Sequence, residues 1–451
     1  MVFHLAHVWH MKILLTAFLF LALVFQGMCQ KQWTYQECAK YAQEHNIELN
    51  NSQLQVEQQR VFAKDAKNDL LPNISGFVGY GINQGRSVDP NTNTYVESEF
   101  FNNSYEISGS MNLFNGFRKQ NRISFEKYNL SAEEEAYEAR KNQLNYDVLE
   151  AYINYQVDKG LIEIIGEQKE LSERELDRIT KFIELGRAAG SEKYEVEARL
   201  ANDEFLLIQQ QNRANLSLLE LKRLMNYPID SSLVTEELRL FEGVDPNITL
   251  DSMFDQAKAN LPRMKSLTNR LNAAEKQVKM AQATLYPSLD LYANYSTRYS
   301  DTFVEQNGDV ISFNDQFKNN QSLNYGLGLA IPLFDAFSRR NQIQVTKIAR
   351  EQAVNNYKTG LQNLEYEIYQ VQLEWHAAIS EYLSAVKREQ SEETALEAAT
   401  RRREKGLISV MEYYEARNNS AIAQAEILRT SLQTFLKERT VNFYLTGTLL
   451  D

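Results

Sequence analysis

Carboxylates are the commonest reactive groups in this sequence, and little stands ready to work with them. Of 451 residues, 60 are Asp or Glu, against 48 Lys or Arg, for a net charge of -12. Beyond residue 30 the only histidines are His45 and His376, and neither has a metal-ligand spacing around it. No phosphate-cradling glycine loop and no nucleophile motif is present. Carboxylate pairs could serve as acid and base, but along charged helical stretches they are what a solvated face looks like. The chain is therefore expected to catalyse nothing and to need no cofactor or metal. Its acidic surplus also argues against a nucleic-acid partner, which a basic surface would have to attract.

The elements that carry these residues begin with an export signal. Met11 to Gln30 reads MKILLTAFLFLALVFQGMCQ: one Lys, an apolar run from Ile13 to Phe25, then small residues. That is a secretory signal layout, too short for a membrane-spanning helix. Residues 1–29 are thus expected to be an upstream extension, with Met11 the true start, followed by the signal. Cleavage after Cys29 would leave Cys38 alone, without a disulfide framework. A lipoprotein would instead keep an acylated Cys29, which Gln26-Gly27-Met28 fits poorly.

The remainder of the chain is written twice. A helix pattern opens each half, at Thr34 (with Glu37 in a capping-box spacing) and at Thr249. LLPNISGFVGY from Leu70 matches LYPSLDLYANY from Leu285, at an offset of 285 − 70 = 215 residues. MNLFNGF from Met111 matches IPLFDAF from Ile331, at an offset of 331 − 111 = 220. A duplication with a longer loop in the second half accounts for both offsets. The predicted repeats are 30–226 and 249–451, joined by a linker over 227–248.

After Pro72 and Pro287 the hydrophobic period changes from helical to two. Strands are predicted over 73–82, 104–114, 288–299 and 323–333, in two hairpins with polar tips. Each run has about the length of a tilted membrane strand. Four strands cannot close a barrel, which takes about eight, and lipid forbids open edges. If these strands span a membrane, several copies must share one barrel. Long helices are predicted from Phe117 and from Phe337. Leu361, Leu364, Ile368, Val371, Trp375, Ala378 and Tyr382 form a heptad seam, with Leu144, Val148, Ala151, Tyr155 and Ile162 at matching places.

The order and duplication of these marks resemble the TolC-like outer-membrane efflux channels over nearly the whole mature chain. The resemblance implies a mostly α fold with a membrane β-barrel contribution: a homotrimer whose three sets of four strands make a twelve-stranded barrel, continued by an α-helical barrel in the periplasm. It implies a passive exit duct in the outer-membrane lipid of a Gram-negative bacterium, working with a periplasmic adaptor and an inner-membrane pump in efflux or type I secretion. A periplasmic coiled-coil adaptor or scaffold is the alternative reading.

The resemblance also assigns places. Phe114, Gly116, Phe334 and Asp335 mark the strand-to-helix junctions. Gly186 with Ser191, and Gly406 with Leu407 and Ser409, mark adaptor-facing tip turns. Gly186 and Gly406 suit helix ends, and Ser191 and Ser409 suit N-caps, so that the first-half turn is about two residues the longer. Glu412 and Glu415 fall where the family narrows its pore with acids. Three apart, they share a helix face, though Ser409 with Glu412 is equally a capping-box spacing. TRRREK, Thr400 to Lys405, suits a helix C-terminus; gating bridges are the other reading.

Overall fold

The computed structural model describes residues 31–88, 92–96, 99–238 and 250–449. The signal segment, Cys29, Thr249 and the linker from residue 239 to 248 lie outside these. The strands are β1 (Gln32–Trp33), β2 (Asn73–Asn83), β3 (Ser87–Val88), β4 (Tyr95–Val96), β5 (Phe100–Phe114), β6 (Val234–Thr235), β7 (Ser288–Ser300) and β8 (Ser322–Ala330). The helices are α1 (Tyr35–His45), α2 (Ile47–Asn68), α3 (Arg118–Glu184), α4 (Gly190–Met225), α5 (Leu250–Asn260), α6 (Pro262–Ala283), α7 (Phe313–Asn319), α8 (Ser338–Glu404) and α9 (Val410–Thr446).

Contacts divide the chain into two compact units that cut across the duplication. One holds Ser52–Ala139 and Lys258–Leu364. The other holds the described residues up to Asn51, with Arg140–Ala257 and those from Glu365 onward. Both repeats contribute to each.

The first unit is built on one antiparallel sheet in the order β2-β5-β7-β8. Within it the two hairpins share one register. Gly76 faces Ile107, and Leu291 faces Leu327, which are those positions advanced by 215 and 220 residues. β8 stops at Ala330, short of the predicted Leu333, because its partner strand begins at Ser288 directly after Pro287 and the ladder has nowhere to continue. β5 starts earlier than the predicted residue 104, at Phe100, since β2 pairs with it as far as Asn83. Beyond Ser296, β7 has no β8 partner, and α7 takes that place. Gln316 is 1 % exposed; its side chain accepts from Ser300 N (3.0 Å) and donates to Ser300 O (2.8 Å).

The second unit is helical. Thr34 caps α1 with both bonds of a capping box: its Oγ1 accepts from Glu37 N, and Glu37 Oε2 accepts from Thr34 N, each at 3.1 Å. β1 and β6 pair in parallel beside it. The heptad seam is core: Val148, Ile368 and Trp375 are all buried. Such burial supplies most helical stability in long amphipathic elements. α3 and α9 approach closely at Gly160, where an added Cβ would lie 2.5 Å from Leu428 Cδ2.

Candidate functional site: a two-faced sheet, its junctions and the tip turns

Strand alternation and register together sort the sheet into two faces. Ile74, Val78, Tyr80 and Ile82 of β2, Ile107 and Met111 of β5, Leu291 and Tyr295 of β7, and Leu323, Leu327 and Leu329 of β8 share one face. It is bare over much of its area: Val78 is 72 % and Tyr325 77 % exposed. The other face carries Ser75, Glu106, Ser108, Asp290, Asn294 and Asn324. There Ser75 and Ser108 share a hydrogen bond of 2.8 Å, Asn112 donates to Asp290 Oδ1 at 2.7 Å, and Asn294 donates to Glu106. A bare apolar face of this size is unstable in water and stable in hydrocarbon. At the loop end it meets an aromatic cluster: Phe317 and Phe313 of α7 stand 5.4 Å from Tyr105 and Tyr299, respectively.

Both strand-to-helix junctions are built alike. Gly116 and Phe117 are left-handed (φ 67° and 64°), as are Ala336 and Phe337 (φ 52° and 64°). Two left-handed residues in succession turn the strand into the helix. Asn115 Oδ1 accepts from Lys119 N (3.4 Å), and Asp335 Oδ2 from Arg339 N (3.0 Å), satisfying free N–H groups of α3 and α8. Phe114 packs edge-on against Phe117 at 5.6 Å, and Phe334 against Phe337 at 5.7 Å.

The tip turns also match, which corrects two expectations. Gly186 (φ 68°) ends α3 with bonds from Gly186 N to Ile183 O (2.9 Å) and Arg187 N to Phe182 O (2.8 Å). Gly406 (φ 72°) ends α8 with Gly406 N to Arg403 O (3.0 Å) and Leu407 N to Arg402 O (2.9 Å). Both are Schellman ends. The next helix is capped three residues on, at Ala189 and at Ser409. The turns are therefore equal in length, and Ser191 lies inside the first turn of α4 rather than capping it. Its side chain was the nearest cap-like signal in the sequence; Ala189 offers none. Ser409 does cap: Glu412 N donates to its Oγ at 3.2 Å. Glu412 and Glu415 are both exposed on α9, and Ser409 Oγ reaches Glu412 Oε1 at 3.4 Å. Leu407 is 65 % exposed.

Behind the tips lies a buried polar cluster that the sequence did not announce. Arg417 is 1 % exposed and Asp203 2 %, with 3.5 Å between Nη2 and Oδ2. Arg417 also donates to Gln168 and to Ser172 Oγ (3.1 Å), while Ser172 donates to Asp203 (2.6 Å) and Arg199 Nε stands 3.2 Å from Asp203. Arg417 Nη1 finds no partner among the described residues. Burial pulls the Arg417 pKa below its ordinary value, and Asp203 opposes that. Burial likewise pushes Tyr414 up to about 12. Of the basic run ending α8, Arg403 turns inward to Glu175 (3.5 Å) and Glu192 (4.0 Å). The i, i+4 rule reads a surface charge in each of these residues; only packing against neighbouring helices buries them. The two histidines stand apart from all this: His45 stacks on Tyr41, and His376 is exposed.

One apolar and one polar sheet face, two strand-to-helix junctions and paired helical turns define an outer-membrane channel subunit. The chain belongs to the outer membrane efflux protein family, whose profile matches residues 39–227 and again 253–445. It is similar to the cation efflux system protein CusC of Escherichia coli O157:H7, 23 % identical over 399 residues, covering 86 % of this chain and 80 % of that one. It is also similar to the alkaline protease secretion protein AprF of Pseudomonas aeruginosa, 23 % identical over 273 residues, covering 59 % and 53 % of the two chains. Its fold matches the crystal structure of the Campylobacter jejuni CmeC outer membrane channel with a TM-score of 0.78 at 18 % identity, over 92 % of this chain and 85 % of that one.

Proposed function

We propose that the chain is the outer-membrane exit duct of a tripartite efflux or secretion assembly, passive in itself and driven by an inner-membrane pump through a periplasmic adaptor. The two-faced sheet carries this reading. Its apolar face calls for lipid, its polar face for an aqueous lumen, and its open edges for further copies of the chain, in the family's manner a homotrimer. The tip turns at Gly186 and at Gly406, Leu407 and Ser409 would meet the adaptor. Glu412 and Glu415 would narrow the lumen with negative charge. The duct would have no catalytic step of its own. Its cargo is open, because one relative is named for cation efflux and another for protease secretion.

Membrane fractionation followed by planar-bilayer recording tests this. An oligomer in the outer-membrane fraction that dissociates only on heating, and that gives discrete conductance steps when reconstituted, is the expected result. A monomer recovered wholly in the soluble periplasmic fraction would return the chain to the scaffold reading.

A further inference from the structure

The two offsets that relate the repeats also prescribe how one copy meets the next. Inside the chain, β5 of the first repeat pairs with β7 of the second: Tyr105 faces Thr297, Ile107 faces Tyr295 and Gly109 faces Ala293. β8 is the counterpart of β5 at +220, and β2 the counterpart of β7 at −215; the shared register of the two hairpins establishes both shifts. β8 and β2 are also the two open edges of the sheet. Unpaired edge N–H and C=O groups cannot face lipid, so something must take up each edge.

We infer that β8 of one copy pairs antiparallel with β2 of a second copy in one definite register: Tyr325 against Ile82, Leu327 against Tyr80 and Leu329 against Val78. This rests on the exit-duct reading. The register keeps Ile74, Val78, Tyr80 and Ile82 of β2 on the same face as the apolar residues of β8, whereas a slip of one residue would turn β2 inside out. It also accounts for a detail of the lone chain. The apolar alternation runs on through Ile331 to Leu333, which is 92 % exposed, although β8 ends at Ala330. In this register Ile331 falls opposite Gly76 of the second copy, and Leu333, the counterpart of Leu113 at the bulge of β5, lies just short of Phe334 opposite Ile74, so the pattern in the sequence serves a partner strand that one chain does not supply.

The helical unit points to the same pairing independently. Gly160 of α3 meets Leu428 of α9 within the chain. The counterparts are Ser380 of α8 and Ile208 of α4. Along the same antiparallel line, Leu383 falls opposite Phe205 and Tyr369 opposite Leu219. Leu149, the α3 counterpart of Tyr369, is fully buried, yet Tyr369 is 55 %, Leu383 55 %, Phe205 62 % and Ile208 59 % exposed. Two bare stripes with matching spacing are what a head-to-tail, heterologous interface leaves on each protomer.

Disulfide trapping in the full chain, with Cys38 replaced by Ala, tests the register. The pair Asn324→Cys with Asn83→Cys copies the observed facing pair Ser104 and Arg298 and points to the polar side. Directly opposed Cα atoms lie about 4.5–5.5 Å apart, within disulfide reach, and diagonal ones about 7–8 Å apart. Mild oxidation in outer-membrane vesicles should move the monomer band to discrete multiples of the chain mass, reversibly on reduction. The pair Ser322→Cys with Asn83→Cys, two residues out of register, should not link. Should the strand pair disturb assembly, Ser380→Cys with Ile208→Cys probes the helical seam in the same way. Linkage by the out-of-register pair alone, or none from either in-register pair while the heat-sensitive oligomer persists, overturns the register but leaves the duct reading standing. Absence of any oligomer before oxidation overturns both.

Discussion

At the residue scale the junctions hold the sharpest asymmetry. Gly116 and Ala336 sit at equivalent left-handed positions, yet only one is the residue that conformation favours. A Cβ at Gly116 would lie 2.7 Å from Ala283 O and 2.8 Å from Tyr286 Cβ, so Gly116→Ala adds a clash to the left-handed cost of about 1–2 kcal/mol. Ala336→Gly should do the reverse and raise stability by up to about 1 kcal/mol, reduced by the greater freedom Gly gives the unfolded chain. Denaturant midpoints of the two variants should therefore move in opposite directions; a shared direction would mean that the junctions are not equivalent. Cys38 makes a second case. It is fully buried in α1, and burial first, then Glu37, push its thiol from 9.0 up to about 12. The unfolded thiol ionises before the folded one. Its contribution is thus complete below about pH 9 and is lost as pH rises from there towards 12. Wild type should lose stability across that window faster than Cys38→Ala, and native Cys38 should resist alkylation at pH 8 until the chain is unfolded. Parallel pH profiles for the two proteins would refute the assignment.

At the element scale, legibility followed periodicity. The strands showed themselves because one face must be apolar and the other polar, a two-residue period that survives any loop length. The helices showed in the heptads through Ile368 and Trp375, for the same reason of burial. What failed to show has no period. The cap at Ala189 carries no hydroxyl, so Ser191 drew the assignment two residues too far. Arg417 and Asp203 read as surface charges, because nothing local distinguishes a charge that three helices will enclose. The cap difference can be measured. Ser409→Ala should cost α9 about 1 kcal/mol at its first turn, and Ala189→Ser should add a similar amount to α4. Hydrogen exchange reads this directly: the Glu412 amide should exchange roughly fivefold faster in the first variant, and the Glu192 amide correspondingly slower in the second. Unchanged protection at Glu412 would mean that Ser409 Oγ is not its partner in solution.

At the scale of the whole molecule, duplication turns one set of elements into a wall. Each chain repeats a junction, a long helix of 67 residues and a Schellman turn, so the homotrimer proposed above would present six near-equivalent positions for each. Equivalence is structural, and the side chains break it. At the place of Leu407 the first turn has Arg187; at the places of Glu412 and Glu415 it has Glu192 and Glu195. The second-repeat pair follows the Ser409 cap and is exposed, while Glu192 is drawn towards Arg403 at 4.0 Å. If the lumen narrows at this level, Glu412 and Glu415 present free charge to it, together with the exposed Glu195. A ring of carboxylates at a constriction favours cations and disfavours anions. Reconstituted wild type should therefore be cation-selective. Glu412→Gln with Glu415→Gln should cut that selectivity severalfold while keeping the oligomer, because Ser409 Oγ caps the backbone N–H of residue 412 whatever its side chain. Reversal potentials in a salt gradient measure it. A double variant with an unchanged reversal potential would leave Glu412 to the cap and Glu415 to the surface, and would move the narrowest charged ring elsewhere in the duct.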